Sequence, residues 1–287
     1  MSKFFEALER AEQERAVRFQ AAPSEPTNAR GPAVPETAPD PALRSAPELP
    51  RGVANGLDEH LVSLLAPASF EAEQYRALRH LIEQRGKSTA LSVVAVSSPG
   101  VADGKTTTAI NLAGALAQAP DARVLLIDAD LRGAAVAARL GWDARVGPGL
   151  ADAILDASLT LETAAHACPH LNLSVLPAGR RPSATYEVLK SPRVGELLAE
   201  ARKRYDYVIL DTPPLVLVPD CRVIEKWVDG FLIVVTAHRT GRKFLGEALN
   251  LAERTKVVGL VFNGDDRHLS RNSYGSYATR LSKRNRK

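Results

Sequence analysis

From Ser69 onward, short continuous apolar runs alternate with longer stretches that carry hydrophobic residues at helical spacing. The runs 91–98, 123–130, 173–176, 207–211, 231–236 and 257–263 are strand-sized and dominated by Val, Ile and Leu. Stretches 71–84, 107–118, 192–204 and 243–254 predict helices around and between them. Strands that are apolar on both faces, separated by helices, predict a doubly wound, mostly parallel α/β sheet covered on both sides. No internal repeat interrupts the pattern. Upstream, residues 1–19 place Phe4, Leu8, Ala11 and Arg15 along one face of an amphipathic helix. Residues 21–52 then hold eight of the nineteen prolines among Ala, Ser and Glu, and read as an extended, disordered linker. The organisation expected is a helix at 1–19, a linker at 20–67, one α/β domain at 68–266 and a disordered tail at 267–287.

Composition narrows the class. The chain has 287 residues, 45% of them hydrophobic and 24% charged, which supports a soluble core and excludes wholesale disorder. No apolar stretch approaches the ~18–20 residues of a membrane span, and the start lacks the apolar region of a secretory signal. Two cysteines, Cys168 and Cys221, make no disulfide framework and suit a reducing compartment, so a cytoplasmic location is expected. The net charge of +4 is unevenly placed: residues 267–287 carry seven cations and no acid, leaving the rest at −3. A basic tail suits anionic lipid, nucleic acid or an acidic partner, and a merely solubilising end fits equally well. With 5% aromatic residues and a mildly acidic body, no nucleic-acid partner is expected.

The chemistry concentrates at strand ends. Ser98-Pro-Gly-Val-Ala-Asp103-Gly104-Lys105-Thr106-Thr107 joins the first strand to a helix, whose unpaired N–H groups and positive dipole end suit an anion. Lys105 would reach the β- and γ-phosphates of a nucleotide, and the Thr106 hydroxyl would bind Mg²⁺. The first glycine of the Gly-x-x-x-x-Gly-Lys-[Ser/Thr] pattern is replaced by Pro99, with Gly100 following. Two more strands end in acids: Asp128 and Asp130 on one face of 123–130, and Asp211 closing 207–211. One strand-end Asp is ordinarily a turn or cap residue. Three of them beside a lysine and a threonine can hold Mg²⁺ through water and activate a hydroxyl. His166-Ala-Cys168-Pro-His170 lacks the spacing of a metal site, and Asp220 reads as a helix N-cap. Glu73, Arg76 and Arg79 share a helix face, where an intrahelical ion pair competes with an intermolecular one.

Across residues 69–265 these motifs resemble the bacterial tyrosine kinases of capsular and exopolysaccharide export, in the form where the kinase is a separate cytoplasmic protein. Ser97-Ser98-Pro…Asp103-Gly-Lys-Thr-Thr corresponds to Walker A, Leu125-Leu-Ile-Asp-Ala-Asp-Leu-Arg132 to Walker A′, and Tyr207-Val-Ile-Leu-Asp-Thr-Pro-Pro214 to Walker B. Val257-Val-Gly-Leu-Val-Phe-Asn263 is similar to the late strand near the base, and Glu73-Gln-Tyr-Arg76-Ala-Leu-Arg79 to the family's self-association signature. The resemblance implies a P-loop NTPase fold and ATP with Mg²⁺ as cofactors. It implies a nucleotide site of Asp103, Gly104, Lys105, Thr106, Thr107, Arg132 and Asn263, and metal support from Thr106, Asp128, Asp130 and Asp211. Lys105, Asp128, Asp130 and Asp211 would be catalytic, with Asp128 the base on a tyrosine hydroxyl. It further implies ring-like homo-oligomers through Glu73, Arg76 and Arg79, and a membrane activator of the chain-length-determinant (Wzz-like) type that recruits the kinase to the membrane. Acceptors would be tail tyrosines, here only Tyr274 and Tyr277 rather than a dense cluster. Pro99 and Ala102 also depart from the family's loop. ParA/MinD-type ATPase switches share the strand-end acids but carry an extra lysine early in the loop, where this chain has Gly100.

Overall fold

A computed structural model describes residues 56–88, 91–142, 147–168 and 170–265. The N-terminal helix, most of the linker, and Tyr274 and Tyr277 lie outside the described residues. The elements run α1 (Val62–Leu65), α2 (Phe70–Ser88), β1 (Val93–Ser97), α3 (Lys105–Ala117), β2 (Val124–Asp128), α4 (Val136–Arg139), α5 (Leu150–Leu155), α6 (Leu161–Ala164), β3 (His166–Ala167) and β4 (Leu173–Leu176). They continue with α7 (Thr185–Lys190), α8 (Pro192–Arg204), β5 (Tyr207–Asp211), α9 (Asp220–Ile224), β6 (Gly230–Thr236), α10 (Arg242–Leu251) and β7 (Val257–Asn263).

The seven strands form one sheet in the order β3-β4-β2-β5-β1-β6-β7. Every pairing is parallel except the short β3–β4 ladder. Strand periodicity sorts the apolar side chains into two layers. Val93, Ala95, Leu125, Ile127, Val208, Leu210, Phe231 and Ile233 pack with α5–α10. Val94, Val96, Val124, Leu126, Ile209, Leu232 and Val234 pack with α1, α2 and α3. Successive side chains leave opposite faces of a strand, so two buried faces require apolar residues at every position. That is why these runs are continuous rather than alternating.

The sequence placed a linker as far as residue 67, yet part of that stretch is folded. Leu61 and Leu64 are buried against α3. The buried Asn111 side chain accepts from Ser63 N (2.8 Å) and donates to the His60 carbonyl (2.9 Å). Gln118 donates to the Ser63 carbonyl (3.0 Å). A short apolar turn after a proline-rich stretch carries little periodicity of its own; its fold is set by α3.

Candidate functional site

The loop between β1 and α3 is shaped from within and from two neighbouring strands. Ala102 (φ 58°) and Gly104 (φ 92°) both adopt left-handed backbone. At Gly104 a Cβ would stand 1.9 Å from Asn263 Nδ2, so only glycine fits. Asn263, at the end of β7, donates to the Asp103 carbonyl (3.1 Å). The Asp103 carboxylate, nearly fully buried, accepts from Gly100 N (3.0 Å), the Thr236 hydroxyl (2.9 Å) and the Thr240 hydroxyl (2.7 Å). Arg239 donates to the Ala102 carbonyl. Asp103 and Asn263, both expected at the nucleotide, therefore spend these polar contacts fastening the loop to β6 and β7. Gly104, Lys105, Thr106 and Thr107 open α3, where free N–H groups and the helix dipole favour a phosphate.

The acids converge beneath that helix. Asp128 and Asp211 are direct register partners on adjacent strands β2 and β5. Strand parity turns both toward the face shared with Leu126, Ile209 and α3. Asp130 lies beyond the end of β2 rather than in it, but its carboxylate receives Lys105 Nζ (2.7 Å) and Gly133 N (2.9 Å). Asp128 accepts from Asp130 N (3.2 Å), Ala135 N (3.1 Å) and Val136 N (3.0 Å). Asp211 is fully buried, with no well-formed hydrogen bond to either oxygen among the described residues; the Thr106 hydroxyl lies beside it and Lys105 Nζ is 3.8 Å away.

Electrostatics follow from this crowding. Burial pushes Asp211 up to about 7, against the pull of Lys105, with the Asp128 charge adding to the rise. Burial likewise raises Asp128 to about 6, partly offset by its backbone donors. For Lys105, burial disfavours the charge, but Asp211 first and then Asp130 and Asp128 outweigh it and raise its pKa. A buried carboxylate so weakly partnered is costly; Lys105 first and then the Thr106 hydroxyl favour its ionised form, but burial outweighs them. These are the hard oxygen donors Mg²⁺ takes. No cluster of three or more carboxylate, His or Cys side chains closes into a metal cage among the described residues.

Asp220 was read as an N-cap, and the structure corrects this. It is the first residue of α9, makes no capping bond, and is fully buried. Both its oxygens receive Arg132, from Nε (2.7 Å) and Nη2 (3.0 Å). No local signal could show a pairing across 88 positions. The same holds for Thr236 and Thr240, more than 130 positions from Asp103. On α2, Arg76 pairs with Glu73 and donates to the Pro67 carbonyl (2.7 Å). Arg79 pairs with Glu83 (2.6 Å) and donates to the Ala115 carbonyl (3.0 Å). These residues thus satisfy one another within the chain while keeping roughly a quarter to a third of each side chain exposed. His166 packs edge-on to Trp142.

Comparison with known proteins agrees with the geometry. A model of the AAA domain matches residues 92–242, more than half of the chain. Tyrosine-protein kinase YwqD of Bacillus subtilis (strain 168) is 34% identical over 227 residues, covering 78% of this chain and 93% of YwqD. Tyrosine-protein kinase Ptk of Acinetobacter johnsonii is 33% identical over 193 residues, which are 67% of this chain but 26% of Ptk. Among solved structures, the kinase domain of Escherichia coli tyrosine kinase ETK superposes with a TM-score of 0.65 at 27% identity, over 71% of this chain and 79% of that one. With 34% identity to YwqD over nearly the whole of that protein, beside a P-loop that faces buried aspartates across one parallel sheet, the chain belongs to the bacterial tyrosine-protein kinase family.

Proposed function

We propose that this chain transfers the γ-phosphoryl group of ATP to protein tyrosines and acts with a membrane partner in exopolysaccharide production. The observation that carries this reading is the side-by-side burial of Asp128 and Asp211 under Lys105, one of them with no well-formed hydrogen bond among the described residues. The opening of α3 binds the phosphates through its N–H groups, and Lys105 exchanges its present partner Asp130 for β- and γ-phosphate oxygens. Thr106 and Asp211, supported by Asp130 and Asp128, would hold Mg²⁺, which when bound neutralises phosphate charge. Asp128 accepts the tyrosine hydroxyl proton. Its pKa, raised by burial, lies near the range where a general base works best, and three backbone N–H donors fix its orientation. Arg132 completes the phosphate contacts.

An ATPase switch of the ParA/MinD type is the rival reading. At Gly100, a Cβ would stand 2.8 Å from the Phe244 ring. A lysine there, as those switches carry, would require Phe244 to move, which favours the kinase. Ring assembly through Glu73, Arg76 and Arg79 belongs to the same proposal. Their partial exposure leaves room to exchange intrachain partners for a neighbouring subunit's. Among the described residues no helix is long and apolar enough to cross a membrane.

The test is transfer from radiolabelled ATP by the purified chain, with and without the cytoplasmic segment of a candidate activator, followed by mapping of the labelled residue. Labelled tyrosine supports the proposal, and mapping decides whether Tyr274 and Tyr277 are acceptors. Phosphate release with no phosphotyrosine, even with activator, would favour the switch.

A further inference from the structure

The Arg132–Asp220 pair is unevenly buried, and the imbalance points outward. Asp220 is fully buried, while the Arg132 side chain keeps 41% of its surface exposed. A carboxylate with no exposed surface must keep its cation close, because a buried charge left unpaired is costly. Here the acid takes the interior and the guanidinium stands at the rim. Two of its nitrogens engage Asp220, and Nη1 has no hydrogen-bond partner among the described residues. The anchor is rigid, because Asp220 is followed by buried Cys221 and Ile224, which tie α9 into the core. Arg132 lies two residues beyond Asp130, and Gly133 N closes on the Asp130 carboxylate (2.9 Å). The fork is therefore held next to the group that engages Lys105.

We propose that Asp220 is a positioning residue that fixes the Arg132 guanidinium so that its free edge meets the equatorial oxygens of the phosphoryl group in transfer. This rests on the phosphoryl-transfer reading above. As the bond from the γ-phosphorus to the β–γ bridging oxygen breaks and the acceptor oxygen bonds to phosphorus, the acceptor proton passes to Asp128. Arginine keeps all its protons and supplies only charge and hydrogen bonds. A planar guanidinium matches two phosphoryl oxygens, and one already held by a fork loses little further freedom on engaging them. Charge spread over equatorial oxygens is what such a group stabilises.

The experiment compares the full chain with Asp220→Asn and Arg132→Lys. One measurement is affinity for a non-hydrolysable ATP analogue, and the other is trapping of ADP with aluminium fluoride, which mimics the phosphoryl group in transfer. Both variants are expected to trap the fluoride complex about a hundredfold more weakly, the loss typical of one transition-state donor, and to lose far less affinity for the ATP analogue. Trapping equal to the parent in a folded variant, or equal losses in both measurements, would overturn the proposal. Should Asp220→Asn fail to fold, Arg132→Lys decides alone, because lysine leaves the Asp220 charge paired but removes the fork. Parent protein that traps the complex yet makes no phosphotyrosine would instead count against the tyrosine-kinase reading and leave the arginine's role standing.

Discussion

Two aspartates at opposite ends of the central strands show how one sheet divides stability from chemistry. Asp229, just before β6, is answered on every side: it accepts from Ser92 N (2.9 Å) and Val93 N (2.7 Å), and from Arg202 through both oxygens (2.7 Å each). Burial alone would raise its pKa, but Arg202 and the two backbone donors outweigh burial and lower it. Asp211, at the carboxyl end of β5, has no well-formed hydrogen bond among the described residues, and burial raises its pKa to about 7 against the pull of Lys105 and the Thr106 hydroxyl. One acid staples β1 to β6 and helix α8. The other is held at a cost that a cation and a nucleotide would offset. A fully answered acid marks the end of the sheet that holds the fold; at the end that works, Asp211 is left poorly answered among acids that are themselves well bonded.

The largest effect that would break this contrast is on Lys105. Lys105→Ala should lower ATP-dependent transfer by on the order of 10³-fold while the circular dichroism spectrum stays native, because its ammonium meets groups of the site itself, the carboxylates and the Thr106 hydroxyl. Retained ATP affinity in isothermal calorimetry would remove the lysine from the site. Next in size, Asp229→Ala should cost on the order of 2 kcal/mol in urea unfolding, since Arg202 and two N–H groups lose their acceptor. ATP affinity of the folded fraction should be unchanged.

The pH dependence of stability should separate the two acids by sign. Asp128 and Asp211 bind their protons more tightly in the folded state than in the unfolded one. Their contribution is therefore full below about pH 4 and is lost as pH rises through about 6 to 7 in protein free of nucleotide and metal. Asp229 runs the other way: its contribution is present above the ordinary carboxylate value of 3.8 and lost as pH falls through its lowered pKa. Asp211→Asn should accordingly flatten the decline in unfolding free energy between pH 4 and 7 and leave the acid limb intact. A decline as steep as the parent's would contradict the assignment.

The inner strands were legible because both faces are buried; β7, at the sheet edge and only half-buried, keeps a continuous apolar run as well. β4, β5 and β7 begin and end where the apolar runs do, and the acid closing β5 needed nothing beyond the run before it. The antiparallel β3, two residues long, left no periodic trace. Asp130 was placed on the face of a strand that stops at Asp128; it reaches Lys105 from the loop instead. What could not be read were the pairings between distant segments. Asp103 with Thr236 and Thr240, and Asp220 with Arg132, join side chains that only the folded sheet brings together.

The smallest expected effect concerns α2. Exposed pairs such as Glu73–Arg76 contribute about 0–1 kcal/mol, so Glu73→Ala with Arg76→Ala should barely move the melting temperature. If these residues also bridge subunits, light scattering should show smaller assemblies with ATP affinity intact. An unchanged assembly size would confine them to their intrachain contacts.

The central claim is that the paired carboxylates under Lys105 pass a phosphoryl group to tyrosine. Its most direct measurement is phosphotyrosine formed from Mg·ATP by the full chain and by Asp128→Asn, with ATP affinity measured alongside. The account predicts phosphotyrosine in the parent and none in the variant at matched ATP affinity. Equal phosphotyrosine in both would contradict it.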